Sequence, residues 1–440
     1  MSHTRLRLAA TALGLLVLAA SCDGYDNNSV LGPRPTGANA IFQNYVALGN
    51  SITAGFQSSG INDATQRQSY AVLLADQMET RFAYPSLAGR GCAPPVVNFL
   101  TQARFGTGST STTCDLRNAA TTDILNNVGV PGASVIDLTE NVNTNTLTSL
   151  FLSGKTQVQK ALEADPTFAS IWIGNNNVLA AAVSGVLVPL AGVSPGVTSQ
   201  ADFETAYNAA TDALVAGAPG LEGVLVGVLN VTSAPILFPV GAIQASTAAF
   251  QGFDQASGWN PASTDPVKAA PMTMDPNCTG ASATLVSFRL ASEIARFRND
   301  TNATGSPPKD PTTRAGHPAH IACGANTVGY PATVGEIFIL TTTEQSALVA
   351  AVTAYNSFVQ AEATALDWAY MNPNVLLDSL RTAGEIPTFP NLASATATFG
   401  SWISLDGVHP SALAHRALGN HLINAINAKY GTSLVRVSVP

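Results

Sequence analysis

Charge is what this chain has least of. Asp, Glu, Lys and Arg make up 11% of its 440 residues, against about 25% in an average soluble protein. The basic residues form no cluster and the formal net charge is −8. A dilute, acidic surface of this kind argues against nucleic acid as a partner and against electrostatic docking on anionic membranes. The apolar run Leu8–Ala20 stops well short of the ~20 residues that span a bilayer. There is no Cys-x-x-Cys pair and no Cys/His group at zinc spacing. His317 and His320 stand together in a Pro-rich stretch without further ligands nearby, so neither a metal nor a cofactor is expected.

What is present starts at the N-terminus. Arg5 and Arg7 precede the Leu8–Ala20 run, and small residues lead into Cys22, the marks of an export signal. The stretch Leu18-Ala19-Ala20-Ser21-Cys22 resembles a bacterial lipobox, whose cysteine is lipidated and becomes the first residue after cleavage. An ordinary secretory signal cut near Ala20 is the alternative. The expected organisation is a signal peptide with its lipidated cysteine over 1–22, a flexible Asn/Gly/Pro-rich tether over 23–40, and one domain over 41–440. Setting Cys22 aside leaves Cys92, Cys114, Cys278 and Cys323, an even set in a chain bound for an oxidising compartment. Their order suggests the disulfides Cys92–Cys114 and Cys278–Cys323, with other connectivities open. The expected location is a bacterial cell envelope, with the membrane held through the lipid and the protein a monomer.

Apolar segments read as buried strands recur at Asn44–Gly49, Ala169–Gly174, Leu221–Val231 and Asn374–Leu377, with a strand-to-loop passage over Asn126–Leu138. Helices are expected over Ser69–Thr80, Ala201–Ala216, Thr343–Tyr370 and Ser411–Tyr430. Strands alternating with helices, most strands apolar throughout, indicate an α/β fold with a parallel sheet covered on both faces. A Pro/Gly/Ser/Thr-rich region from about Gly241 to Ala332 holds the second cysteine pair and reads as an insertion, with a possible helix at Thr284–Arg298.

Ligands of such sheets collect at the carboxyl ends of the strands. There the chain carries Gly49-Asn50-Ser51, Gly129-Val130-Pro131-Gly132 and Gly174-Asn175-Asn176-Asn177, and Asp406-Gly407-Val408-His409-Pro410 precedes the last helix. A serine becomes a nucleophile when a histidine takes its proton, and an aspartate three residues before that histidine can hold the other ring nitrogen. Gly132 offers an unobstructed backbone donor, and Asn176 a side-chain donor. These pieces, in this order, resemble the SGNH (GDSL-type) hydrolase family. The resemblance implies a flavodoxin-like three-layer α/β/α sandwich and metal-free ester hydrolysis. It also implies Ser51 as nucleophile, His409 as base, Asp406 as its orienting acid, and Ser51, Gly132 and Asn176 as oxyanion donors. The family's first block usually reads Gly-Asp-Ser and its third Asn-Asp, so Asn50 and Asn177 are departures.

Blander readings stand beside these. Ser51 is also a plausible helix N-cap, and Gly132 and Asn176 plausible turn residues. Asp137 and Asp378 are other candidates for the triad acid. His415 and His421 read as exposed or capping positions on the last helix. The substrate expected is an acyl ester or lysophospholipid-like lipid. The alternatives are an O-acetylated polysaccharide or, given Asn50 and Asn177, an inactive envelope-binding role. Phe250, Phe253, Trp259 and Phe288 could cap the site or form the insertion's own small core.

Overall fold

The computed structural model describes residues 37–106, 108–116, 124–274, 278, 283–299, 320–321 and 338–439. At its centre four strands pair in parallel in the order β1 (Tyr45–Gly49), β2 (Phe168–Trp172), β3 (Glu222–Val226) and β4 (Ala369–Met371). Every residue of β1 and β2 is buried. That explains their unbroken apolar sequence, since a parallel sheet has both faces covered.

Side chains alternate across the sheet, so each strand feeds two cores. Val46, Leu48, Ile171 and Leu225 join one core with Phe203, Tyr207, Leu348 and Tyr355. Tyr45, Phe168, Trp172 and Val224 join the other with Tyr70, Leu74, Leu422 and Ile426. The chain is therefore a three-layer α/β/α sandwich. A four-residue α1 (Ser51–Ala54) follows β1, and α2 (Tyr70–Gln77) packs on α7 (Ala412–Tyr430) over one face. The opposite layer holds α3 (Asn176–Ser184), α4 (Gln200–Gly217) and α5 (Thr342–Ala365), while α6 (Asn374–Thr382) follows β4. Cap chemistry sets several starts. Thr341 and Glu344 form a reciprocal capping box on α5, and Ser199 and Ser411 accept backbone N–H groups of α4 and α7.

Several expectations needed correcting. Asn374–Leu377 is not a strand but the start of α6, which contains no buried residue. The strand is Ala369–Met371, immediately before it. The helix expected through Tyr370 stops at Ala365, and Asp367 adopts a left-handed φ of 59°, which turns the chain into β4. The Asn126–Leu138 passage makes one isolated bridge, Ala47 with Asn127, extended by Val130 N–H donating to Gly49 O. Over 284–298 the chain forms a short strand, Leu285–Ser287, and then the helix Arg289–Asn299.

The insertion is framed by an antiparallel three-stranded sheet of Leu237–Pro239, Leu285–Ser287 and Ile339–Leu340. Phe253 and Phe288 are buried in a core of its own with Phe238, Val286 and Ile294, and Phe250 packs against it. Trp259 donates its ring N–H to Ala269 O. The aromatics thus hold the insertion together. So does a fully buried ion pair, Arg298 to Asp254 at 2.7 Å. The disulfide Cys92–Cys114 is present. Cys278 is also disulfide-bonded, but Cys323, like Cys22, the 1–22 signal, His317 and most of the 23–40 tether, lies outside the described residues. No helix among the described residues is long and apolar enough to cross a membrane.

Candidate active site

Glycine makes the first turn possible. Gly49, at the end of β1, has φ 156°, and a Cβ there would lie 2.2 Å from Thr53 Oγ1 and 2.4 Å from Trp172 O. Its peptide groups are held from the side by buried Gln157, on the helix Gln157–Leu162. Gln157 accepts from Gly49 N–H and donates to Gly49 O, both at 2.9 Å. The next residue, Asn50, caps α1 by accepting from Ile52 N–H at 3.0 Å. Ser51 is therefore the first residue of that helix rather than its cap, so its own N–H is among those a helix start leaves free. Its side chain points into a cleft, and the residue is 7% exposed.

Ser51 Oγ lies 2.8 Å from His409 Nε2, and His409 Nδ1 lies 2.9 Å from Asp406 Oδ2. The loop before α7 supplies both residues. Gly407 has φ 73°, which lets Asp406 fold back so that its Oδ1 accepts from the backbone N–H of Val408 and of His409, at 2.9 and 2.8 Å. Oδ2 also accepts from Ser59 N–H at 2.8 Å. Burial pushes the Asp406 carboxyl up. The charge and hydrogen bond of His409, with the His409 and Ser59 amides, outweigh burial and hold it well below the usual carboxylate range. Phe56 packs on the imidazole with ring centroids 5.0 Å apart.

The other sequence candidates separate cleanly. Asp137 is spent on its own loop, accepting from Ser134, Val142 and Asn143. Asp378 is exposed on α6. His415 is wholly buried, contrary to the exposed or capping place expected for it. Its Nδ1 accepts from Tyr70 N–H at 3.2 Å, and burial first, then the charge of His409, pushes its pKa down to about 3. His421 is half-buried, and burial and Arg436 lower it too. Among the described residues no group of His, Cys, Asp and Glu could hold a metal ion.

Asn176 lines the same cleft as Ser51, and Gly132 lies two residues after Val130, whose N–H donates to Gly49 O. Gly132 has φ 88°. The Asn145 side chain donates to Pro131 O at 2.7 Å, and since N–H and C=O of a trans peptide point opposite ways, this turns the Gly132 N–H away from Asn145. Asn176 Nδ2 donates one hydrogen to Ala133 O at 2.8 Å, leaving its second for a ligand. Asn145 and Gln157 escaped sequence reading because nothing in their local sequence points to distant glycines. An Asn four residues before Ser149 reads only as a helix cap, which Asn145 also is.

An apolar cleft starts at Ser51 and His409. Leu229, Val231, Leu376, Leu380, Trp402 and Val408 form much of its wall. Leu376 and Leu380 come from α6, whose apolar face is left only partly covered.

Comparison with known proteins agrees with this geometry. The model of the family described as GDSL-like Lipase/Acylhydrolase matches residues 45–422. Neither curated proteins nor solved structures gave a match. With a family match running from the first strand of the sheet into its last helix, the chain belongs to the GDSL-like lipase/acylhydrolase family and is a hydrolase acting on ester bonds.

Proposed function

We propose that this protein is a serine esterase for esters of apolar acyl chains, working through an acyl-enzyme. The observation that carries the reading is the Ser51–His409–Asp406 chain of hydrogen bonds opening onto the apolar cleft. Ser51 Oγ attacks the ester carbonyl carbon while His409 Nε2 takes its proton. The carbonyl oxygen becomes an oxyanion held by the N–H groups of Ser51 and Gly132 and by Asn176 Nδ2, donors worth about 3–4 kcal/mol each where single ones have been removed. His409 then passes the proton to the departing alcohol oxygen, leaving the acyl group on Ser51. Water, deprotonated by the same imidazole, releases the acid and regenerates the serine. Asp406 stays ionised throughout and steadies the imidazolium.

An apolar chain gains about 0.8 kcal/mol per buried CH₂ in such a cleft, whereas an acetylated glycan would face leucine, valine and tryptophan walls. This favours acyl esters over polysaccharide deacetylation, and the assembled triad favours catalysis over a purely binding role. The proposal includes export, anchoring through a lipid on Cys22 to an envelope membrane, and a monomeric enzyme. Mass spectrometry of the mature N-terminus tests the anchor. The activity is tested on p-nitrophenyl esters from acetate to palmitate, with Ser51→Ala alongside. Turnover that rises with chain length and vanishes in the variant supports the reading. Acetate release from glycans with no long-chain activity overturns it in favour of the deacetylase.

A further inference from the structure

Four residues after the helix that carries Ser51, the chain makes a two-residue hairpin turn at Ser58 and Ser59. Gln57 N–H donates to Gly60 O at 2.8 Å and Gly60 N–H to Gln57 O at 3.1 Å. Both central residues are left-handed, with φ 55° and 53°. A turn with two positive φ values is ordinarily built from Asn-Gly or Gly-Gly, because a Cβ is disfavoured there. Two serines in succession are an unfavourable choice for the backbone alone. Strain of this sort persists where the surroundings over-determine it.

The turn meets the catalytic loop along one side. Ser58 N–H donates to Ser404 Oγ at 2.9 Å, Leu405 N–H donates to Ser58 Oγ at 3.1 Å, and Ser59 N–H donates to Asp406 Oδ2 at 2.8 Å. Its carbonyls face the other way: Ser58 O accepts from Val96 N–H, and Ser59 O from Arg104 Nη1. Every backbone polar group of the two serines is thus spoken for, and three consecutive residues of the 404–406 segment are tied to them. A glycine pair would make the same turn with less strain, but would offer Leu405 no hydroxyl.

We propose that the Ser58–Ser59 turn is a positioning element of the triad. The Ser59 amide fixes the Asp406 oxygen that faces His409, and the paired bonds of Ser58 to Ser404 Oγ and from Leu405 N–H hold that loop in register. This rests on the serine esterase reading above. The serines touch no substrate; they act through Asp406.

The test compares Ser58→Ala, Ser404→Ala and Ser404→Thr with the wild type in p-nitrophenyl butyrate turnover. Thermal melts confirm folding, and a fluorophosphonate measures the rate of Ser51 labelling. Each alanine variant is expected to lose roughly 10- to 100-fold in kcat and in labelling rate, the scale of a small misplacement of a catalytic group, with KM little changed. Ser404→Thr, which keeps the hydroxyl, should recover most of the loss. Folded alanine variants with wild-type kcat, or a change confined to KM, overturn the proposal. So does a Thr variant as slow as the alanine. Should Ser58→Ala fail to fold, the two Ser404 variants, which leave the turn itself unaltered, decide the matter. Wild-type enzyme that resists the fluorophosphonate overturns the esterase reading itself, a failure distinguishable because it appears before any variant is made.

Discussion

His415 makes acid sensitivity calculable. It is fully buried on α7, its Nδ1 accepts from Tyr70 N–H, and its Nε2 has no partner among the described residues. Protonation would place a charge in an apolar core within reach of His409 and set two donors, Nδ1–H and Tyr70 N–H, against each other. Its folded pKa is pushed to about 3, from 6.5 in the unfolded chain. A histidine lowered on folding is bound by more protons in the unfolded state, so its stabilising share is whole above the unfolded value and is lost as pH falls below it, down to the folded value. Between pH 7.5 and pH 5 that loss is about 2 kcal/mol, at ~1.4 kcal/mol per unit below 6.5.

The assay is urea denaturation at both pH values for wild type and His415→Asn, whose Oδ1 can still accept from Tyr70 N–H. With an m-value of about 3–4 kcal/mol/M for a chain this long, the wild-type midpoint should drop about 0.5 M more than the variant's. His421 acts in the same direction but is present in both proteins. Asp406, depressed rather than raised, gives up its contribution only below the unfolded value of 3.8, outside this window. The variant starts less stable because it leaves a cavity, so only the pH-dependent difference counts. Equal midpoint shifts in the two proteins would refute the reasoning.

Further outcomes follow from the site. Asp406→Asn should lower kcat by about 10⁴-fold in steady-state ester hydrolysis while leaving the fold intact; a loss under tenfold would remove Asp406 from the triad. Leu380→Trp fills the cleft from α6 and should shorten the preferred acyl chain in a p-nitrophenyl series, each CH₂ no longer accommodated costing about fourfold in kcat/KM. An unchanged profile would place the chain elsewhere. Asn145→Ala frees the Pro131–Gly132 peptide and should cost up to about 10²-fold in kcat with KM nearly constant, as for weakening one oxyanion donor; a KM effect alone would contradict it.

Where the sequence was legible, one local rule decided the outcome. The buried strands announced themselves as apolar runs ending in glycine, and Ser51, Asp406 and His409 lay at strand ends or before a helix, where chemistry gathers. The misreadings came where two rules compete over a few residues. Between Leu366 and Leu377 two short apolar stretches, Trp368–Met371 and Val375–Leu377, lie only three residues apart, and the left-handed Asp367 and Pro373 beside the start of α6 divide strand from helix. His415 misled for another reason: on α7 it shares a turn with Arg416, and only the packing of α2 against α7 shows that it points inward. Gln157, Asn145 and the Ser58–Ser59 turn act across gaps of 108, 14 and up to 347 residues, which no local pattern encodes.

The two asparagines where the family usually has aspartate are not equivalent. Asn177 uses both ends of its amide, accepting from Val135 N–H at 3.0 Å and donating to Thr198 Oγ1 at 2.9 Å. A carboxylate could accept from Val135 and from the Thr198 hydroxyl, so this site can be served by either residue, and the neutral one avoids burying a charge. Asn50 uses only its oxygen, on Ile52 N–H, and its Nδ2 is buried with no partner among the described residues. An unpaired buried donor costs about 1–3 kcal/mol. Aspartate would keep the cap and remove the orphan. The cost at position 50 therefore falls on stability.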